Sequence, residues 1–336
     1  MVRKTGGYML QKYVCKICGC DTGSELIVKE MFHGSRENFT YYQCSSCGTI
    51  QIAHVPEDMS KYYPSDYYSF VGDGGRGGCL SQVIKKYFFK YIKYIPLFVR
   101  DMLNKKYKSL DYVLWHLKNY KDKTVKILDY GCGCGVQLRR LRSVGYTNAV
   151  GMDPFITNDL FDATGNLVVK RGSIDDVEDA FDLIEMHHAL EHTENPVETV
   201  RSLCRHLLPG GKLLLRFPVC DGRAFEMYGS GWVQLDAPRH LCLLTKKAVC
   251  LLAEKLGLKI ISYTHDSTAF QFLGSELYKR DIPLCNALKN GKISQQYFST
   301  AEVQKFEHLT ERVNTEGCGD QVFVFLEVSY QKIAND

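Results

Sequence analysis

Two Cys-x-x-Cys pairs, Cys15-Lys16-Ile17-Cys18 and Cys44-Ser45-Ser46-Cys47, are separated by 25 residues between Cys18 and Cys44. Each pair can turn two thiolates toward one ion, and the glycine after each, Gly19 and Gly48, permits the turn. Together Cys15, Cys18, Cys44 and Cys47 make the closed four-sulfur pattern of structural zinc. The surrounding segment is poor in large apolar residues, so metal ligation would contribute much of its folding free energy. Four free thiols is the plainer alternative. A redox pair is disfavoured because no βαβ pattern surrounds either motif. Cys20 and His33 are substitute ligands for the site.

A second set of residues suits a nucleotide-like ligand. Asp129-Tyr130-Gly131-Cys132-Gly133-Cys134-Gly135 follows a short apolar strand and precedes a helix pattern. Gly131 and Gly133 let backbone approach a ligand closely, and the helix start offers free N–H groups. The spacing is not G-x-G-x-x-G, so a dinucleotide pyrophosphate is not favoured. Asp153, followed by Pro154, lies 18 residues beyond Gly135 and could accept from both hydroxyls of a ribose. Ser173 and Ile174 come next, with Ile174 placed to flank an adenine. Cys132 and Cys134 read as small side chains in the turn rather than as ligands.

These positions need a scaffold that brings them to one edge. Strand patterns at 126–130, 148–154, 167–172, 180–188 and 212–219 alternate with helix patterns at 136–145 and 195–211. A further helix at 246–257 leads to a late strand pair at 259–266 and 321–330, which would add an antiparallel edge. Alternation of this kind predicts an α/β fold with a parallel sheet covered on both faces. Open sheets bind ligands at the carboxyl ends of their strands, where all the residues above fall. Three regions result: a zinc-binding module at 1–60, an aromatic and basic helical connector at 61–120, and the α/β domain at 121–336 with a helical insertion at about 268–316.

The ordered blocks LDYGCGCG, Asp153-Pro154, Gly172-Ser173-Ile174, FDLIEMHHALEHTENP and LLPGGKLLLRFP resemble those of the class I S-adenosylmethionine (SAM) methyltransferases. The resemblance spans about 121–267 and resumes at 321–330. It implies a Rossmann-like, seven-stranded doubly wound sheet beside a small zinc-ribbon-like module. It also implies SAM held by Asp129, Gly131, Cys132, Gly133, Asp153, Pro154, Ser173, Ile174 and His187, with its methyl aimed at an acceptor above the sheet.

Methyl transfer to oxygen needs the acceptor hydroxyl deprotonated as it attacks, and imidazole suits that task near neutral pH. His192 and His240 are the first candidates, then His188. On a helix, 188, 191 and 192 would share one face. Glu191-His192 resembles the signature after strand four in ubiquinone-pathway O-methyltransferases and in small-RNA 2′-O-methyltransferases. The latter hold a divalent ion there, but this chain has His188 where they have a carboxylate. Orientation of the loop by hydrogen bonds alone is the structural alternative.

The cysteine pairs, YYPSDYYSF, WVQLDAPRHL, LYKRDIPL and GCGDQVFVFL resemble bacterial sugar and surface-polysaccharide methyltransferases. That narrower likeness implies O-methylation of a sugar hydroxyl on a nucleotide-sugar or glycan. Deoxysugar C-methyltransferases carry a further C-terminal domain, and this chain ends soon after the last strand, which argues against carbon methylation. Alternatives are a lipid-like or quinone acceptor at a membrane, or a non-catalytic SAM-binding scaffold.

Residues 80–108 hold eight cations and one anion, a net +7 within a chain of 336 residues and net +4. That segment could rest on an anionic membrane, attract a phosphorylated acceptor, or present a solvated cationic face. Nucleic acid is disfavoured as a partner, because the overall charge is small and 15–48 has no basic stripe. With 45% hydrophobic and 24% charged residues the chain is expected to be globular and soluble rather than disordered. The 14 cysteines, without a secretory pattern at the N-terminus, fit a reducing cytoplasm.

Overall fold

The computed structural model describes residues 13–63 and 115–328, apart from 117, 163, 290, 291 and 294. The basic segment 80–108 and most of YYPSDYYSF lie outside the described residues.

The α/β part is built on one eight-stranded sheet. Its strands are β4 (Ile127–Tyr130), β5 (Ala149–Asp153), β6 (Leu160–Phe161), β7 (Leu167–Arg171), β8 (Phe181–His187), β9 (Leu207–Pro218), β11 (Leu258–His265) and β14 (Gln321–Val328). The order is β11-β14-β9-β8-β4-β5-β7-β6. The pairs β4–β5, β4–β8, β5–β7 and β8–β9 are parallel, whereas β14 runs antiparallel to both β9 and β11. This is the doubly wound, Rossmann-like layout of class I methyltransferases. The two-residue β6, antiparallel to β7, is one strand more than the seven expected.

Alternation along the strands fills two apolar layers. Leu128, Ile184, Leu213 and Leu215 face one cluster with helices α2 (Pro196–Arg205) and α4 (Lys246–Leu256). Ile127, Leu183 and Leu214 face the other, with Leu138 and Leu141 of α1 (Val136–Ser143). Period-two side chains on a sheet covered on both faces require this split.

The helix expected to extend over 195–211 ends at Arg205. Asn195 caps its start and Pro196 occupies the first turn. Leu207 then pairs with Phe181 in the sheet, and Pro209 and Gly210 (φ 78°) lie inside β9. Proline cannot donate within a helix, so the apolar Leu207-Leu208 pair joins the sheet instead.

Residues 13–63 form β1 (Gly23–Lys29), β2 (Asn38–Cys44) and β3 (Ile50–Ile52), an antiparallel set. A fourth strand, β10 (Cys242–Leu243), comes from the α/β part and pairs with β3. Cys15, Ile17, Cys44 and Cys47 share an apolar cluster with Val219, Cys242 and Leu244. The cysteine-bearing segment is thus joined to the larger sheet's neighbourhood by both backbone and core.

Helix α3 (Arg223–Tyr228) follows β9. The segment between β11 and β14 carries α5 (Phe270–Lys279), α6 (Leu284–Ala287), a short hairpin of β12 (Leu288–Lys289) and β13 (Lys292–Ile293), and α7 (Thr300–Glu316). This segment is mostly helical. Among the described residues, no helix is long and apolar enough to cross a membrane.

Candidate functional site

The turn after β4 takes its shape from glycine. Gly131, Gly133 and Gly135 have φ of 75°, 53° and 67°, a region that side chains with a Cβ disfavour. A Cβ on Gly131 would also sit 2.6 Å from the Cβ of Ala189. Asp153 is buried at the end of β5, and its carboxylate ties this turn to the next. The Gly133 N–H donates to one oxygen and the Phe155 N–H to the other, each at 2.8 Å. Each oxygen keeps a second acceptor direction for a ligand hydroxyl.

Asp129 lies beneath the turn, buried, with Oδ1 lacking a hydrogen-bond partner. Burial, with Glu185 and Asp153 nearby, pushes its carboxyl well above the usual range. Glu185 stands opposite Asp129 in the β4–β8 ladder, fully buried. Burial would raise its pKa, but His116 more than offsets that and holds the carboxyl low. His116 Nε2 contacts Glu185 Oε1, while His187 Nε2 lies 3.4 Å from Oε2. An unpartnered carboxyl oxygen under a glycine turn fits a cationic amino group, and the pinned Asp153 fits a ribose. The residues therefore fit SAM.

Other expected cofactor residues have clear local roles. Ser173 caps the short turn Ile174–Asp176, and Ile174 is buried. Cys132 lies beneath the turn: a Cβ on Gly151 would come within 2.4 Å of its sulfur. Pro154 stands between Asp153 and Phe155, whose N–H donates to the Asp153 carboxylate.

After β8, His188 takes a left-handed conformation (φ 50°), and only a three-residue turn, Leu190–His192, follows. The expected single helix face for 188, 191 and 192 is therefore absent. The three residues still converge, through that backbone bend and with His240 from a separate loop. His188 Nδ1 lies 3.5 Å and His240 Nε2 4.0 Å from Glu191 Oε1. Glu191 is 2% exposed, and its closest ionisable partner is His188 at 3.5 Å. Burial alone would raise its pKa; the hydrogen-bonding geometry of His188 and the charges of His192 and His240 win and hold it at about 2.

The imidazoles differ in which nitrogen is free. His240 Nδ1 donates to the Gln234 carbonyl at 2.7 Å, so its lone pair is on Nε2. His192 Nδ1 donates to the Arg239 carbonyl at 2.9 Å, leaving its lone pair on Nε2 as well. His188 Nε2 accepts from Arg216 Nη1 at 3.2 Å, so its lone pair is already engaged. Burial first, then His240, lowers the His192 pKa to about 4, so it stays neutral at physiological pH.

One ligating atom from each of Glu191, His192 and His240 lies within 4.8 Å of the other two, a donor set that could hold a divalent ion. The four cysteines form a second such group. Cys15 and Cys47 sulfurs are 3.5 Å apart, as are those of Cys18 and Cys44. Tetrahedral zinc with Zn–S near 2.3 Å needs sulfur separations of about 3.8 Å, so the set fits that ion. Cys20 instead contacts Thr22 and Ser45.

The WVQLDAPRHL loop, which carries Arg239, was visible in the sequence, but its partners in the N-terminal part were not. Arg239 is fully buried, donates to Asp236 and to the Tyr62 carbonyl, lies 3.6 Å from Glu30, and stacks over Phe32. Tyr41 donates to the His240 carbonyl at 2.9 Å, and the Tyr63 hydroxyl lies 3.1 Å from His192 Nδ1. Glu30, Phe32, Tyr41, Tyr62 and Tyr63 are 129 or more residues from their partners in the α/β part, and no local signal links them.

A sequence profile described as "Methyltransferase domain" matches residues 74–263, more than half of the chain. The chain belongs to this methyltransferase family. Among curated proteins, the methyltransferase is 31% identical over 121 residues to a tRNA U34 carboxymethyltransferase of Pseudoalteromonas translucida, covering 33% of this chain and 37% of that protein. It is 30% identical over 156 residues to the protein of the same name from Colwellia psychrerythraea, covering 42% and 46%. The chain thus spans less than half the length of these relatives. Their names point to tRNA rather than sugar, so they lend no support to the exclusion of nucleic acid or to a polysaccharide role. A similar solved structure is a sarcosine dimethylglycine methyltransferase from Galdieria sulphuraria, with TM-score 0.40 and 16% identity over 66% of this chain and 86% of that one. Another is a SAM-dependent methyltransferase from Archaeoglobus fulgidus, with TM-score 0.39 and 15% identity over 68% and 99%.

Proposed function

We propose that this methyltransferase methylates a hydroxyl oxygen of a sugar acceptor, a nucleotide-sugar or glycan, and that His192 or His240 takes the hydroxyl proton. The observation that carries this is the buried Glu191 carboxylate ringed by imidazoles directly after β8. When bound, SAM supplies an electrophilic methyl group on a sulfonium centre. Asp129 would meet its cationic end and Asp153 its ribose, with the 131–135 backbone between them. His187, Ser173 and Ile174 would complete the wall. A proton arriving on either imidazole is stabilised by the Glu191 charge, while backbone carbonyls fix both rings. His188, its lone pair engaged by Arg216, serves as a positioning residue. The four cysteines would hold one structural zinc.

Asp153→Ala is expected to weaken SAM binding by about 1–3 kcal/mol, because ribose hydroxyls and two backbone N–H groups lose their acceptor. Titration calorimetry reads this, and an unchanged affinity removes Asp153 from the cofactor site.

His240→Gln or His192→Gln should lower kcat by about 10²–10⁴ with SAM affinity intact, the usual range for losing a general base. Wild-type turnover in both variants defeats the base assignment. For His192 the acid limb should fall near pH 4, below the ordinary 6.5, since burial keeps the ring neutral. The stability sign follows. The unfolded chain protonates this ring first, so stability declines as pH drops from about 6.5 to about 4. Glu191, held near 2, continues the decline from 4.5 downward.

A second reading, an RNA acceptor, has two supports: the tRNA names of the curated relatives and the net +7 of residues 80–108. It requires binding that weakens steeply with salt. Methyl incorporation into bulk RNA, absent from sugar nucleotides, would select it.

A further inference from the structure

The insertion builds a wall of its own beside His188. A cavity of about 270 Å³ opens there, lined among others by Thr268, Phe270 and Gln271 of the insertion and by Asp320 at the start of β14. That volume lies just under the ~300 Å³ lower end for pockets that enclose drug-sized molecules, so it suits a single ring. His188 and Gln234 close the side nearest the imidazole cluster. Ala189, one residue on, touches the glycine turn, so the cavity adjoins the cofactor cradle.

One polar atom of this wall, Gln271 Oε1, lacks a partner, whereas Asp320 and Gln321 are hydrogen-bonded. Gln271 is 1% exposed; its amide nitrogen donates to the Thr268 carbonyl, and its Oε1 has no partner. Leaving a buried amide oxygen without a donor is unfavourable, and a ligand hydroxyl would relieve it. Asp320 is 2% exposed, accepts from Trp232 Nε1 at 3.0 Å, and has its pKa pushed up to about 7 by burial. Near neutrality it can accept from or donate to a hydroxyl. The Phe270 ring offers an apolar face among these groups, as the C–H face of a sugar requires. Among the described residues, the lining holds no lysine or arginine, so it does not suit a phosphate.

We propose that this cavity is the acceptor subsite, that it takes one uncharged polyhydroxylated ring, and that Gln271 and Asp320 determine its specificity. The inference rests on the sugar reading above and deepens it.

The test uses the full chain, labelled SAM and cell extract as the acceptor pool, with products split by ribonuclease and by glycosidase or phosphatase treatment. Wild type is expected to label the sugar-nucleotide or glycan fraction. Gln271→Met, which keeps side-chain length and packing, should raise the acceptor KM about 10–100-fold, with kcat and SAM affinity within about threefold, since a subsite built around hydroxyls discriminates on binding. Asp320→Asn should shift KM in the same direction while retaining the Trp232 contact. Wild-type KM in both folded variants, with label in the sugar fraction, overturns the subsite but not the sugar reading. Label in RNA overturns the sugar reading, and an unaltered KM for RNA in both variants then rejects the subsite as well. No label in either fraction from folded wild type counts against both.

Discussion

Replacing Arg239 by leucine is expected to destabilise the protein by about 3–5 kcal/mol, the range for breaking one side of a buried ion pair. The guanidinium and the Glu30 side chain are both 0% exposed, and Asp236 is 12% exposed. Burial would raise the Asp236 pKa, and Arg239 more than offsets it. Leucine fills part of the volume but leaves that carboxylate buried beside no cation. Glu30 loses less, because the backbone N–H groups of His33, Gly34 and Ser35 still donate to it. Activity should fall with stability, since the Arg239 carbonyl orients His192 and the next residue is His240. Arg239→Lys should recover only part of the loss, as an ammonium cannot make the forked contact with Asp236. Denaturant titration checks the first figure; a change under about 1 kcal/mol, with methyl transfer at the wild-type rate, would show that this buried network does not hold the loop.

Purified protein is expected to carry one zinc per chain, and Cys44→Ser should abolish it. The proposed metal joins the start of the chain to residues at the end of β2 and just after it. Losing it should loosen β1–β3 as a unit, because structural zinc supplies folding free energy directly. The consequence should reach the proposed base: β2 carries Tyr41, whose hydroxyl donates to the His240 carbonyl, and Cys47 accepts from Thr245 through its carbonyl. Methyl transfer is therefore expected to drop at least about tenfold even though no cysteine touches the acceptor, because misplacement by about 1 Å can cost that much or more. Elemental analysis, thermal melting and turnover are read on the same sample. A metal-free wild type that is stably folded and fully active would falsify the zinc assignment.

Much of the cradle was legible because its signals are local. Gly131, Gly133 and Asp153 sit at strand ends, and a strand followed by a glycine turn and a helix places them without knowledge of the rest. The stop of α4 at Gly257 is local in the same sense. The end of α2 was misread because Leu207 and Leu208 suit a helix face and a strand equally, and pairing with Phe181 across the sheet settled the matter. His188, Glu191 and His192 were grouped for a reason that does not hold, a shared helix face. A left-handed residue brings them together instead, and backbone of that kind in a non-glycine residue leaves little trace in a sequence.

Residue types and short-range spacing alone pointed to an α/β sheet, to a glycine turn with Asp153 beyond it, and to the paired cysteines as a four-sulfur set. Those features depend on contacts between near neighbours in the chain, or on a repeating pattern. The packed chain was needed to bring Arg239 to Glu30 and Tyr41 to His240. Each of these links elements far apart in sequence, where burial and the pairing of polar groups, rather than local preference, select the partner.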